Sequence, residues 1–276
     1  MNITQSTDNF SRKMSDKIAE TDMKKKANYY HISSLEKGIH LLKLLAERGT
    51  MSLSEIAGEL GIDRSGCHRY LLTFRDLGLV KKAENSKYVL TTGIFEITVG
   101  YLNRLGLRQS IRPFMEELSN TYKESVNLGI KDGDQIVFLD KIASPQDYRT
   151  EIAVGTRVPI YCTGLGKAII AFRPDKEQMD YLRTNEFKRF TPNTITQSQA
   201  FEKELCLIRE RGFSIDKGEY RNELLAVASP IVNSAGHSVY SISVAGPVSR
   251  FSEEMIMRIG CDLKDICSRI SKVIMR

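Results

Sequence analysis

Between residues 33 and 78 the chain uses one local pattern three times: a short polar side chain, an amphipathic run, then a glycine. Ser33 precedes Glu36 by three positions and Ser52 precedes Glu55 by the same step, the capping-box spacing that satisfies orphaned N–H groups at a helix start. Asp63 caps a third run, and Gly49, Gly61 and Gly78 close the three segments. Within them, Leu35, Ile39, Leu42 and Leu45 share one helical face, Leu53, Ile56, Ala57 and Leu60 a second, and Cys67, Tyr70, Leu71, Phe74 and Leu77 a third. Then "LVKKAENSKYVLT" sets two β-favouring runs around the polar turn Glu84-Asn85-Ser86. Three short helices followed by a hairpin predict a winged helix-turn-helix over residues 31–91.

The third helix raises a chemical question, because Cys67 and His68 are neighbours. Adjacent residues face different sides of a helix, so they cannot share a metal, and the phase sends Cys67 into the core. Arg64, Ser65, His68 and Arg69 are left on the exposed side of the first turns. Alone, a basic helix face is simply solvated. Behind a capped helix and a tight turn, with Lys81, Lys82 and Lys87 on the hairpin, it matches a helix that reads base edges while the hairpin holds phosphates. Gly66 is expected to let a backbone approach. Charge agrees in direction: the first 91 residues hold 15 Lys and Arg against 11 Asp and Glu, the rest 25 against 23.

At 276 residues the chain has room for about two domains. Residues 1–30 lack periodicity and read as a basic tail, with or without a role. Residues 92–110 read as a linker helix, Phe95, Val99, Leu102 and Leu105 being in register, with a break at Arg112-Pro113. Residues 111–276 read as an α+β unit with a mainly antiparallel sheet. Its strands are "SVNLGIK", "QIVFLDKIA" after the turn Asp132-Gly133, "YRTEIAVG", "FSIDKGEY", "LLAVASPIV" and "SVYSISVAG". Helices are expected around 164–183, at 198–211 and from Ser252. No apolar run approaches the roughly 20 residues of a membrane span, and the N-terminus lacks a signal-peptide core, which places the protein in the cytoplasm. Five scattered cysteines predict free thiols and no zinc clip.

Catalysis finds little support, and no metal or cofactor is expected. "TGLGKA" at 163–168 lacks the first glycine and the Ser/Thr of a phosphate loop, though a glycine-opened helix start suits a small carboxylate. Asp216, Glu219 and Glu223 form a cluster expected to be a solvated loop. An enzyme acting on a small acid is the reading this cluster and the glycine-opened helix would favour.

From about Ser33 to its end the sequence resembles the IclR family of bacterial transcriptional regulators, and within it the KdgR-like repressors of sugar-acid catabolism. The resemblance lies in "SLSEIAGELGIDRSGCHRYLLTFRDLGLV", "KYVLTTGIFEI", "VPIYCTGLGKAIIAF", "TITQSQAFEKELCLIRERGFSID" and "LLAVASPI". It implies a homodimer or homotetramer on a pseudo-palindromic double-stranded operator, with a GAF-like effector domain holding a small organic acid. It also implies a pocket lined by Val158, Gly164 and Leu165, with Asp216, Leu224, Ala226 and Ser243 opposite. Ala245 stands where some relatives have serine, and Glu223-Leu224-Leu225 replaces a commoner Gly-Leu-Arg. A 2-keto-3-deoxy sugar acid is the leading effector. Repressor is the first expectation and activator the alternative, since operator position decides between them.

Overall fold

The computed structural model describes residues 32–94, 96–97, 107–149 and 152–274. The tail at 1–30 and most of the expected linker helix, Phe95, Val99, Leu102 and Leu105 included, lie outside them. The chain divides into two compact units, residues 1–101 and 102–276.

In the first unit, α1 (Ser33–Arg48), β1 (Met51–Ser52), α2 (Leu53–Leu60) and α3 (Arg64–Asp76) lead into β2 (Val80–Lys82) and β3 (Lys87–Leu90). The hairpin turns through Asn85 and Ser86, both with positive φ. β1 adds a third strand that the sequence did not suggest, giving an antiparallel sheet in the order β1-β3-β2. The capping box at α2 is complete: Ser52 N donates to Glu55 Oε2 at 2.7 Å, and Glu55 N to Ser52 Oγ at 3.3 Å. Gly61 ends that helix in the left-handed region with φ 60°. The expected box at Ser33 does not form, because Ile32 is the N-cap and Ser33 already lies inside the helix.

The buried face of α1 is also rotated from the expected one. Gly38, Leu41 and Leu45 point inward, while Leu35 and Ile39 are 62% and 44% exposed. The reason is the close crossing with α3: a Cβ on Gly38 would sit 3.1 Å from the Phe74 ring, so the glycine marks the contact. Leu41, Leu45, Ile56, Cys67, Leu71, Val80 and Tyr88 make the core, with Tyr70 and Phe74 partly buried against it. Leu77 lies past the last turn as the C-cap and is exposed.

The second unit has α4 (Leu107–Tyr122), β4 (Ser125–Asp132), β5 (Gln135–Ile142), β6 (Arg157–Pro159), α5 (Gly164–Ala171), α6 (Asp175–Thr184) and α7 (Ser198–Arg211). It closes with β7 (Ser214–Lys217), β8 (Leu224–Val232), β9 (Ser238–Pro247) and α8 (Glu253–Ile274). The six strands form one sheet, β6-β5-β4-β9-β8-β7, in which every pairing is antiparallel. Period two along β8 serves two cores. Leu225, Val227 and Ile231 pack with Ile111, Met115, Ile259 and Leu263 of α4 and α8. Ala228 packs on the other face with Leu165, Ile169, Phe201 and Leu205 of α5 and α7.

The break at Arg112-Pro113 does not occur: Pro113 lies inside α4, whose Ile111, Met115 and Leu118 are fully buried, and that burial outweighs one lost helical hydrogen bond. "YRTEIAVG" is no strand in its described part, where Gly155 turns with φ 88° and its N–H bonds Phe138 O; the strand is the short β6. The stretch 164–183 is two helices, parted at Pro174, the N-cap of α6.

Leu71 is fully buried in the first unit's core. Leu71→Ala is expected to cost that unit about 2–5 kcal/mol, read by denaturant unfolding.

Candidate functional site

Asp63 fixes the start of α3 by accepting from Gly66 N at 2.8 Å. A Cβ at Gly66 would lie 2.9 Å from Asp63 Oδ2, so the group that approaches this glycine is the cap's own carboxylate. With the helix so placed, Cys67 is fully buried, its Sγ 3.8 Å from Leu53 O, and burial pushes its thiol up, away from the reactive thiolate. Arg64, Ser65, His68 and Arg69 are all exposed. Lys81 and Lys82 are exposed on β2, whereas Lys87 is half-buried on β3 across from Ser52, where its charge reaches Glu55. The Cys-His question is thereby answered by helical phase.

In the second unit, Val158, Gly164, Leu165, Asp216, Leu224, Ala226 and Ser243 surround one cavity. Thr163 caps α5 at its mouth, accepting from Gly166 N at 3.3 Å. Gly166 allows the helix start to press on the preceding loop: a Cβ there would meet Ile160 O at 2.3 Å. The first carbonyls of α5 are held by two strands, Ser214 Oγ donating to Gly164 O at 2.6 Å and Ser241 Oγ to Leu165 O at 3.0 Å. Asn127, Phe138, Ile152, Thr163, Tyr220 and Ala245 complete the lining. Asn127 Nδ2 donates to Ser243 Oγ at 3.4 Å, leaving a polar patch between strands β4 and β9. The cavity measures about 30 Å³, room for a water or two and far below the roughly 300 Å³ of a typical small-molecule pocket.

Beneath it lies a buried charge cluster. Lys167, 1% exposed, donates from Nζ to Ile215 O at 2.7 Å and to Glu219 Oε1. Burial pushes its pKa down, but the charges of Glu219, Glu204 and Asp216 outweigh that and carry it upward, so it stays an ammonium. Glu204, 3.6 Å away, is already paired with Arg211 at 2.9 Å. Asp216 Oδ1 accepts from Glu219 N at 2.8 Å, yet burial first and the Glu219 charge second push its carboxyl up to about 7, against the pull of Lys167. Burial raises Glu219 as well, with Lys167 opposing, and its Oε2 is buried without a hydrogen-bond partner among the described residues. The cluster expected as a solvated loop is thus split. Asp216 and Glu219 are buried because a buried cation receives them; Glu223 alone is exposed.

Both units match family models: residues 34–84 match the IclR helix-turn-helix domain and residues 99–272 the bacterial transcriptional regulator IclR C-terminal. The chain belongs to the IclR family. This regulator is 32% identical to the HTH-type transcriptional regulator KdgR of Escherichia coli over 92% of its own length and 96% of the relative's. It is 30% identical to BhcR of Paracoccus denitrificans, covering 80% of each chain. Its fold superposes on the Thermotoga maritima IclR crystal structure with TM-score 0.78 at 30% identity, covering 89% of this chain and all of that one. The family comprises DNA-binding transcriptional regulators with an effector-binding C-terminal domain and is not enzymatic. No described helix of the regulator is long and apolar enough to cross a membrane.

Lys167 escaped the sequence reading. The signal was present in the run "GLGKAIIA", where one lysine stands among small and apolar residues; with all of α5 buried, it demands a carboxylate partner, which Glu219 supplies. Asn127, a polar residue between the buried Val126 and Leu128, was a second such signal. Lys167→Met is expected to cost the second unit about 3–5 kcal/mol, because it leaves Glu219 buried without its cation. Denaturant unfolding near pH 8 measures it.

Proposed function

We propose that this regulator is a repressor that leaves its operator when a small organic acid, foremost a 2-keto-3-deoxy sugar acid, occupies the cavity of the second unit. The observation that carries the DNA half is the phase of α3: Cys67 and Leu71 are buried while Arg64, Ser65, His68 and Arg69 are exposed together at the helix start. Those four read bases, and Lys81, Lys82 and Lys87 hold phosphates and fix orientation. Residues 31–91 form the DNA-binding domain, 92–110 the link and 111–276 the effector domain. A homodimer or homotetramer engages a pseudo-palindromic site with half-sites roughly 34 Å apart.

The effector half rests on the seven residues gathered around one cavity and on the identity to KdgR. A six-carbon acid does not fit in about 30 Å³, so its binding selects a state of the unit with wider walls. Such differential affinity is what a ligand needs to move an equilibrium.

Footprinting and salt titration on one operator test the DNA half. Arg69→Ala is expected to lose about 1–3 kcal/mol and relax specificity at one base pair if its contact is bidentate. Lys82→Ala should weaken all sites alike and lower the salt slope by about one. An Arg69→Ala protein that footprints and discriminates like wild type overturns the base-reading role.

A further inference from the structure

The cavity holds a carboxylate where an acid would need a cation. Its lining includes Asp216 and Tyr220 as titratable side chains and, among the described residues, no lysine, arginine or histidine. The nearby ammonium is already engaged: Lys167 Nζ is held by Ile215 O and Glu219 Oε1, and its side chain is 1% exposed. The other groups around Asp216 supply no positive charge. Glu219 lies in the loop after β7, Cys162 precedes α5 with its thiol pushed up by burial, and Glu204 on α7 is paired with Arg211. Leu224, Ala226, Asn127, Ser243 and Ala245 face the cavity from β8, β4 and β9, all neutral. Two carboxylates brought together in such a place cannot both stay ionised, because desolvation and like charge both oppose it.

We propose that an acid effector enters this cavity together with one proton, held as a hydrogen bond between Asp216 and the effector's carboxylate. The proton comes from solvent, no covalent bond is made or broken, and the O–H of the neutral Asp216 carboxyl donates to the bound carboxylate. Burial already lifts the Asp216 carboxyl to about 7, so the site is half-prepared at neutral pH. The sign follows from linkage. The complex carries a proton that free Asp216 loses as pH rises through about 7, so affinity is flat below that point and falls tenfold per unit above it. This inference rests on the acid-effector reading above and adds to it that the regulator answers its acid more strongly at lower pH.

Isothermal titration of the 276-residue chain with 2-keto-3-deoxygluconate tests it, run from about pH 6 to 9 in pairs of buffers with different ionisation heats. The expected result is uptake of about one proton per acid near pH 8 and almost none near pH 6. Asp216→Asn supplies the same donor as an amide N–H, and its Oδ1 can still accept from Glu219 N. It is expected to bind the acid with no pH dependence over this range. Binding without proton uptake, or a pH dependence that survives in Asp216→Asn, overturns the proposal and leaves the acid-effector reading standing. No binding at any pH overturns that reading and the proposal with it. Should Asp216→Asn fail to fold, proton uptake by the wild type decides alone.

Discussion

The geometry of the effector unit depends on one buried ion pair. Lys167 projects from a helix with no exposed residue and reaches both the backbone of β7, at Ile215 O, and the Glu219 carboxylate beyond it. Through that contact α5 is tied to the edge strand, Gly164 and Leu165 are set opposite Asp216, and the loop carrying Tyr220 is held over the cavity. The loop is secured from its outer side too, Thr191 Oγ1 donating to Gly218 O at 2.6 Å and Thr194 Oγ1 to Glu219 O at the same distance. A buried pair of this kind adds little net stability over an apolar one. What it contributes here is register, since removing either partner strands the other charge in the interior.

The pair also explains why the site is acidic on balance. Two buried carboxylates share one buried ammonium, while Glu204 is neutralised by Arg211. The uncompensated negative charge falls on Asp216, the member of the cluster that faces the cavity. The group that meets a ligand's charge is therefore Asp216, with Lys167 and Glu219 acting on it from outside the lining.

Legibility in the sequence followed the physical reach of each signal. Capping at Ser52 and Asp63 is local, acts over three residues, and was readable; so was the inward phase of Cys67 and Leu71, which depends on helical period alone. The rotation of α1 was not, because it depends on the Phe74 ring meeting Gly38 from another helix. Pro113 misled for the same reason, local propensity being overridden by the burial of Ile111 and Met115 against the sheet. At the cavity, resemblance supplied seven positions, yet the residues themselves announced only the glycine-opened helix. The cation that organises it lies 52 positions from its carboxylate, and pairing at that distance is invisible until the sheet brings β7 beside α5.

In the proposed switch, occupancy of this cavity changes how α3 engages DNA. Ala226 lines the cavity from β8, so Ala226→Leu fills it from within. The decisive measurement is operator affinity with and without 2-keto-3-deoxygluconate, in wild type and in this variant. The acid is expected to weaken wild-type binding by at least about tenfold, a coupling of about 1.4 kcal/mol, and to leave the variant's binding unchanged. A variant that responds to the acid as wild type does would contradict it.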